Sequence, residues 1–196
     1  MDWIEELENL VGKELIYTQD AERSNYASDY TEDLVHLPEV VAKPKKIEEI
    51  SKILKFCTAN KIPITPRGAG TGLSGGSLPV CGGISLSMEN FNKILNLDEE
   101  NFQATVESGV INETFQQAVK ARGLFYPPDP ASKGSCFLGG NIAHSSGGPK
   151  ALKYGTTKDY VLNLEVVLPT GEIIWTGADT LKNSTGYNLT QLMIGS

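Results

Sequence analysis

Apolar positions follow two rhythms along this chain, and glycine-rich stretches interrupt both. Near the N-terminus Ile4, Leu7 and Leu10 recur at helical spacing, with Asp2 placed to cap the helix and Gly12 to end it. Thr18 to His36 is polar and without period. "EVVAKP" is an apolar run stopped by proline, which predicts a strand. From Lys46 to Lys61 the residues Ile47, Ile50, Ile53, Leu54 and Cys57 form one face, with lysines and glutamates opposite, which predicts an amphipathic helix. "IPITP" and "GGISLSM" predict two further strands, so strand, helix, strand, glycine loop and strand make a small α/β unit.

Beyond "NLDEEN" the pattern changes. "QATVESG" alternates as a half-buried strand does, and Asn112 is placed to cap a helix, "ETFQQAVKARG", ending at Gly123. The prolines of "FYPPDPASKGS" exclude regular structure. "CFLGGNIAHSSGGPKALKYG" is a second glycine-rich region. "YVLNLEVVLPTGEIIWTG" reads as a hairpin turning at Pro-Thr-Gly, and "TGYNLTQLMIGS" as a short helix leading into another element.

Composition narrows the classes. In 196 residues, 40% hydrophobic and 21% charged, the net charge is -7. No basic run offsets that charge, which disfavours a nucleic-acid or anionic-membrane partner. No apolar stretch is long enough to span a bilayer, and the acidic N-terminus does not read as a secretory signal. Cys57, Cys81 and Cys136 have no paired spacing and are odd in number, as expected of reduced thiols in a cytoplasmic protein rather than a metal centre. Most of the 20 glycines lie between Gly68 and Gly155.

The densest cluster, "PRGAGTGLSGGSLPV", contains Gly70, Gly72 and Gly75 in a G-x-G-x-x-G pattern after a predicted strand. A dinucleotide fingerprint must also open a helix, and here Pro79, Gly82 and Gly83 lead to a strand instead. No Lys-Ser/Thr follows, so a Walker loop is excluded as well. The more general mechanism remains: consecutive backbone N–H groups converging on an anion, with the Thr71 and Ser74 hydroxyls alongside. A tight turn requiring glycine for backbone reasons alone is the competing explanation. "GGNIAHSSGGP" adds a second set of donors with Asn141, Ser145 and Ser146, which suggests a ligand held from two sides.

"PRGAGTGLSGG", "PPDPASKGSCFLGGNIAHSSGGP", "KYGTTKDYVLNLEVVLPTGEI" and "NSTGYNLTQLMIGS", in that order, resemble the FAD-binding domain of the vanillyl-alcohol oxidase/p-cresol methylhydroxylase superfamily. Within it they are most similar to the flavin subunit of glycolate oxidase and to D-lactate and D-2-hydroxyglutarate dehydrogenases. The resemblance covers roughly Leu37 to Ser196. It implies an α+β fold of two subdomains, a small α/β one and a largely antiparallel α+β one, with FAD extended between them. The implied division is a lead-in over 1–36, the α/β subdomain over 37–98 and the second subdomain over 99–196.

The cofactor contacts that the resemblance implies fall in two groups. Arg67, Gly68, Ala69, Gly70, Thr71, Gly72, Leu73 and Ser74 would wrap the pyrophosphate. Pro130, Ser132, Gly139, Gly140, Asn141, Ala143, Ser145, Ser146, Gly147 and Gly148 would hold the other side, with the strand at Val167 running nearby. A structural ion pair is the competing role for Arg67. For His144 loop ordering is favoured over proton transfer, His36 reads as a surface residue, and Asp129 reads as a turn residue.

In the resembled dehydrogenases "IGS" continues into the end of the flavin domain and then a cap domain, whose histidines bind a divalent metal and take the substrate proton. The chain is therefore expected to be truncated or split, without the cap. Its expected function is the FAD-binding portion of a 2-hydroxy-acid dehydrogenase, meeting its substrate through the cap and passing electrons to a partner subunit. A non-catalytic electron-transfer module and a cell-wall precursor reductase of similar fold are the alternatives. The expected location is the cytoplasm, with any membrane association through partner subunits. Some members of the superfamily attach FAD through a histidine in the first glycine loop. The matching position here is Thr71, which cannot form that bond, so non-covalent FAD is expected. Denaturing the flavin-loaded protein should leave the yellow colour in the supernatant; colour retained on the pellet would contradict this.

Overall fold

The computed structural model describes residues 3–195. The chain divides into two compact units: one runs up to Asn90 and also takes in Val167–Ile173, and the other comprises Phe91–Val166 and the residues from Ile174 onward. The expected division after 98 thus lies eight residues further along than the structural one. The physical reason is a strand that the sequence reading did not identify, Ile94–Asp98, which pairs with the segment following it.

In the first unit, α1 (Trp3–Val11) and α3 (Ile47–Asn60) pack together. The sheet consists of β1 (Ile16–Tyr17), β2 (Val40–Ala42), β3 (Ile64–Arg67) and β4 (Ile84–Ser87), in the order β1-β2-β4-β3. A short helix α2 (Asp20–Arg23) and a 3-10 turn, Ser24–Tyr26, interrupt the segment read as irregular. Strands β2, β3 and β4 are mutually parallel, with β4 in the middle and buried at every position. Burial on both faces is the normal state of a central parallel strand. Leu7, Val40, Val41, Ile53 and Ile84, all fully buried, form the core. The cap assigned to Asp2 lies outside the described residues, while Gly12 ends α1 as expected, at φ 105°.

Helix α3 begins where the Glu49 carboxylate accepts the amides of Lys45 and Lys46, at 2.7 and 3.0 Å. This satisfies donors that the helix leaves open at its start. The same helix anchors the tip of the late hairpin of β7 (Glu165–Val167) and β8 (Ile173–Trp175). Ser51 Oγ donates to the Gly171 carbonyl, and Thr58 Oγ1 to that of Pro169 at 2.6 Å. A Cβ on Gly171 would stand 2.6 Å from the Ser51 carbonyl oxygen, so the turn approaches α3 more closely than any other residue would allow.

The second unit contains the antiparallel pair β5 (Ile94–Asp98) and β6 (Gln103–Val106), then α4 (Asn112–Lys120), α5 (Leu138–His144), α6 (Ala151–Tyr154) and α7 (Leu189–Met193). Val110, Phe115, Val119 and Leu138 form its buried cluster, with Ile94, Leu97, Val106, Leu124 and Tyr126 packed around them. Phe115 meets Tyr126 edge-on at 4.9 Å between ring centroids, and burial pushes the Tyr126 phenol up to about 12.

Two local expectations are corrected here. Asn112 does not cap α4: it is the first helical residue, fully buried, and the capping position belongs to Ile111, which makes no side-chain cap. Its amide faces inward, where a fixed carbonyl offers a better partner than the helix start does. The second glycine-rich region is also not a loop throughout, because Leu138–His144 is helical despite Gly139 and Gly140.

Replacing Ile53 by alanine should cost about 2–5 kcal/mol in urea unfolding, the range for emptying a closed aliphatic site. Leu181→Ala, at a side chain that is almost wholly exposed, should shift stability by less than about 0.5 kcal/mol. Equal effects of the two would place the core elsewhere.

Candidate functional site

The first loop is the crossover between the parallel neighbours β3 and β4, whose register pairs Ile64 with Ile84 and Arg67 with Ser87. Crossovers of this kind normally carry a helix. Here residues 68–83 form no helix, so the backbone donors of the connection are not consumed by helical bonds. Among the described residues, the amides from Gly68 to Ser74 meet no acceptor, and neither do the Thr71 and Ser74 hydroxyls. The loop's own constraints lie at its flanks: Gly75 donates to Thr31 Oγ1 at 2.7 Å, Tyr30 donates to the Gly72 carbonyl, and Met88 to that of Arg67.

Arg67 underlies this arrangement. It is 6% exposed, and its guanidinium donates to the carbonyls of Ser28 at 2.7 Å and Tyr26 at 3.3 Å while lying over the Tyr26 ring. A Cβ on Gly70, which has φ 70°, would stand 2.4 Å from Arg67 Nη2. The glycine therefore lets the backbone rest on the guanidinium. The ion-pair role considered for Arg67 is replaced by hydrogen bonds to main-chain carbonyls, although Asp29 adds a favourable charge nearby. Burial alone would raise the Asp29 carboxyl, but hydrogen bonds from Thr31 and Ser77, together with the Arg67 charge, hold it below its ordinary value.

A polar cluster extends from Tyr26. Its hydroxyl donates to Glu89 at 2.7 Å, Ser87 Oγ donates to the same carboxylate, and Lys43 pairs with it at 3.0 Å. Burial would raise the Glu89 carboxyl, yet these three donors bring it below the ordinary range; burial would lower Lys43, but its contacts with Tyr26 and Glu89 raise it.

In the second unit a chain of buried amides fixes the proline-rich segment. Asn141 Nδ2 donates to Asn112 Oδ1 at 3.0 Å, and Asn112 Nδ2 to the Pro128 carbonyl at 3.1 Å. Gln116 Nε2 reaches that same carbonyl at 2.9 Å. The Asn141 side chain is thereby used within the protein. Ser145 Oγ is bonded to Thr156 Oγ1 at 3.0 Å, and the Ser146 amide donates to the Asn141 carbonyl. The amides of Gly140, Gly147 and Gly148 and the Ser132 and Ser146 hydroxyls meet no partner among the described residues. Ala143 and His144 are exposed, Pro130 is half-buried with its carbonyl accepting from Lys133, and Val167 is half-buried in β7.

The two glycines that open α5 differ. A Cβ on Gly139 would meet Ser108 Cβ at 2.8 Å, so packing explains it, whereas a Cβ on Gly140 would meet nothing within 4 Å. Among the described residues nothing requires glycine at 140, in a helix where glycine costs about 0.5–1 kcal/mol relative to alanine.

Comparison with known proteins identifies the family. Residues 38–177 match the family of the FAD binding domain, and the chain belongs to that family, with FAD as its cofactor. It is 46% identical over 192 residues to the glycolate oxidase subunit GlcD of Bacillus subtilis, covering 98% of this chain and 41% of that protein. It is 46% identical over 173 residues to a D-lactate dehydrogenase of Anaerostipes hadrus, covering 86% and 36%. The chain thus spans about two fifths of the length of these relatives. Among solved structures, alkyldihydroxyacetonephosphate synthase superposes with a TM-score of 0.83 at 21% identity, over 99% of this chain and 36% of that one. p-Cresol methylhydroxylase superposes with a TM-score of 0.75 at 22% identity, over 89% and 35%. The chain shares the α+β fold of these structures, which is not a Rossmann fold.

The residues of the first loop fit a pyrophosphate: open amides, two free hydroxyls and no acidic side chain between Arg67 and Ser77. Gly140, with open space where a side chain would lie, fits a flat ligand passing close to the helix.

Two outcomes test this geometry. Gly70→Ala, which drives a methyl into the guanidinium at a left-handed position, should destabilise the chain by more than about 1 kcal/mol in urea unfolding. The Glu89 carboxyl has a lowered pKa when folded, so its stabilisation is present above the ordinary carboxylate range and fades as pH falls through the lowered value. Glu89→Gln should therefore give a shallower loss of stability on acidification, and an unchanged acid limb would show that the cluster contributes nothing.

Proposed function

We propose that this chain is the FAD-binding part of a flavin-dependent dehydrogenase that oxidises a small 2-hydroxy acid of the glycolate or D-lactate type. The observation that carries the reading is the unbroken run of unpartnered amides from Gly68 to Ser74, in a chain whose family binds FAD. The relatives named glycolate oxidase subunit and D-lactate dehydrogenase support the substrate class.

Bound FAD would supply the acceptor for a hydride leaving the substrate's hydroxyl-bearing carbon. The residues of this chain bind and orient. The amides of Gly68–Ser74 present partial positive charge to the pyrophosphate, as in other backbone anion nests, with the Arg67 guanidinium beneath the loop. Arg67 keeps the loop open for that purpose by holding Tyr26 and Ser28 beneath it. Pro130 and Ser132, the amides of Gly140, Gly147 and Gly148, and the backbone at Val167 contact the remainder of the cofactor. Thr71 leaves the cofactor non-covalent. His36 and His144 are not assigned the proton of the substrate hydroxyl.

We further place the protein in the cytoplasm and its electrons on a partner subunit. Three free cysteines, with the Cys57 thiol pushed up to about 11 by burial, accord with a reducing compartment. Among the described residues no helix is long and apolar enough to cross a membrane.

Titration of Met1–Ser196 with FAD should show saturable quenching of flavin fluorescence, and the chain alone should give no glycolate- or D-lactate-dependent dye reduction. Gly140→Leu should leave the apo chain as stable or more so, because a helix former replaces glycine, while weakening FAD by about 10-fold or more through loss of close approach. Absence of FAD binding, robust turnover by the chain alone, or full FAD affinity in Gly140→Leu would each contradict the corresponding part.

A further inference from the structure

The segment from Thr18 to His36 reads as irregular, yet its second half is tied to the first glycine-rich loop at three points. The Ala27 carbonyl accepts the His36 amide at 2.8 Å, which closes residues 28–35 into a loop of their own. From that loop the Tyr30 amide donates to the Gly72 carbonyl at 3.1 Å, and Thr31 Oγ1 accepts the Gly75 amide at 2.7 Å. The third tie is Ser77 Oγ, which donates to Asp29 Oδ2 at 3.0 Å. All of these residues belong to the first unit.

Asp29 is the hub of the arrangement. Oδ1 accepts the Thr31 amide at 2.8 Å, Oδ2 accepts the Ser77 hydroxyl, and the Thr31 hydroxyl donates to the same carboxylate. With its proton committed to an anion, the Thr31 oxygen has only lone pairs left to offer, and the Gly75 amide takes one. A turn at Asp29 needs no more than the contact with Thr31. The bonds to Gly75 and Ser77 reach partners 44 and 48 residues along the chain, so they serve the glycine-rich loop.

Their placement decides what they do. Arg67 supports the start of the open run of amides and Thr31 fixes the residue just beyond its end. Because the Gly75 amide is consumed, the open donors stop at Ser74. Glycine-rich backbone loses more freedom on ordering than any other, and a loop fixed beforehand spares its ligand that cost. A loop held in the receiving shape only part of the time binds more weakly in proportion.

We propose that Asp29 and Thr31 are positioning residues for the cofactor's pyrophosphate. The carboxylate orients the Thr31 hydroxyl, the hydroxyl holds the Gly75 amide, and the Gly68–Ser74 amides are thereby set in place before the anion arrives. Neither residue touches the cofactor. This inference rests on FAD binding as proposed above.

The test compares Met1–Ser196 with its variants Thr31→Val, Thr31→Ser, Asp29→Ala and the Asp29→Ala/Thr31→Val pair. Three quantities are read: the urea midpoint of the apo chain, FAD affinity by fluorescence quenching, and the phosphorus NMR resonances of FAD bound at saturation. Thr31→Val keeps the side chain's shape without its hydroxyl. It should weaken FAD about 2- to 10-fold, the scale of one neutral hydrogen bond, and move the bound phosphorus resonances toward those of free FAD. Thr31→Ser, which restores the hydroxyl, should return both to wild type. Asp29→Ala should displace the same resonances. The double variant should bind FAD no more weakly than the weaker single one, because one relay can be broken only once.

Wild-type FAD affinity in Thr31→Val overturns the proposal. So do wild-type phosphorus resonances in the saturated Thr31→Val and Asp29→Ala chains, because lost affinity with a lowered urea midpoint alone makes the pair a structural tie. Additive losses in the double variant overturn the relay. Should Thr31→Val fail to fold, Asp29→Ala carries the test, and unmoved resonances there are decisive against it. A wild-type chain that binds no FAD overturns the underlying reading, and is recognised before any variant is compared.

Discussion

The contact between the Arg67 guanidinium and the backbone at Gly70 is the constraint on which the first loop depends. A crossover between parallel strands that lacks a helix has to find another way to fix its backbone, and here the support comes from beneath. The guanidinium binds the carbonyls of Tyr26 and Ser28, so the N-terminal segment and the loop share one anchor. Arg is suited to this position because its planar fork satisfies several carbonyls at once and stays charged when buried. The result is a stretch of main chain whose carbonyls are partly engaged and whose amides are not. That polarity is what an anion requires.

The second unit reaches a comparable end by different means. Its glycine-rich segment lies partly in α5, whose buried Asn141 leads through Asn112 to the Pro128 carbonyl. A network of amides each satisfied by the next is rigid, and its members are costly to remove singly. Hydrogen bonds thus hold the proline segment from one side, while Gly148 packs against Asp129 from the other. The side chains that look most suited to a ligand, Asn141 and Ser145, are used to build this support, and the groups left open are mostly backbone amides.

Much of this was legible in the sequence, unevenly. Strands β2, β3 and β4 and helix α3 were visible because apolar spacing is strong there, whereas the two-residue β1 was not read. The absence of a helix after the first glycine loop could be read from Pro79, Gly82 and Gly83, and the structure bears it out. Strand β5 escaped notice because Asn96 breaks its short apolar run of Ile94, Leu95 and Leu97, and pairing with β6 makes it a strand. Asn112 was misread because its type suits a helix cap, whereas its partner, the Pro128 carbonyl, is sixteen residues away. The difference between Gly139 and Gly140 could not be read at all: identical neighbours in sequence, one packs against Ser108 and the other faces open space.

The central claim is that the Gly68–Ser74 main chain receives the cofactor's pyrophosphate. Amide hydrogen exchange of Met1–Ser196, followed residue by residue with and without saturating FAD, tests it most directly. The account predicts that amides from Gly68 to Ser74 exchange rapidly in the apo chain and become protected on FAD binding, with protection also at Gly140, Gly147 and Gly148. FAD binding that leaves the Gly68–Ser74 amides as exposed as before would contradict it.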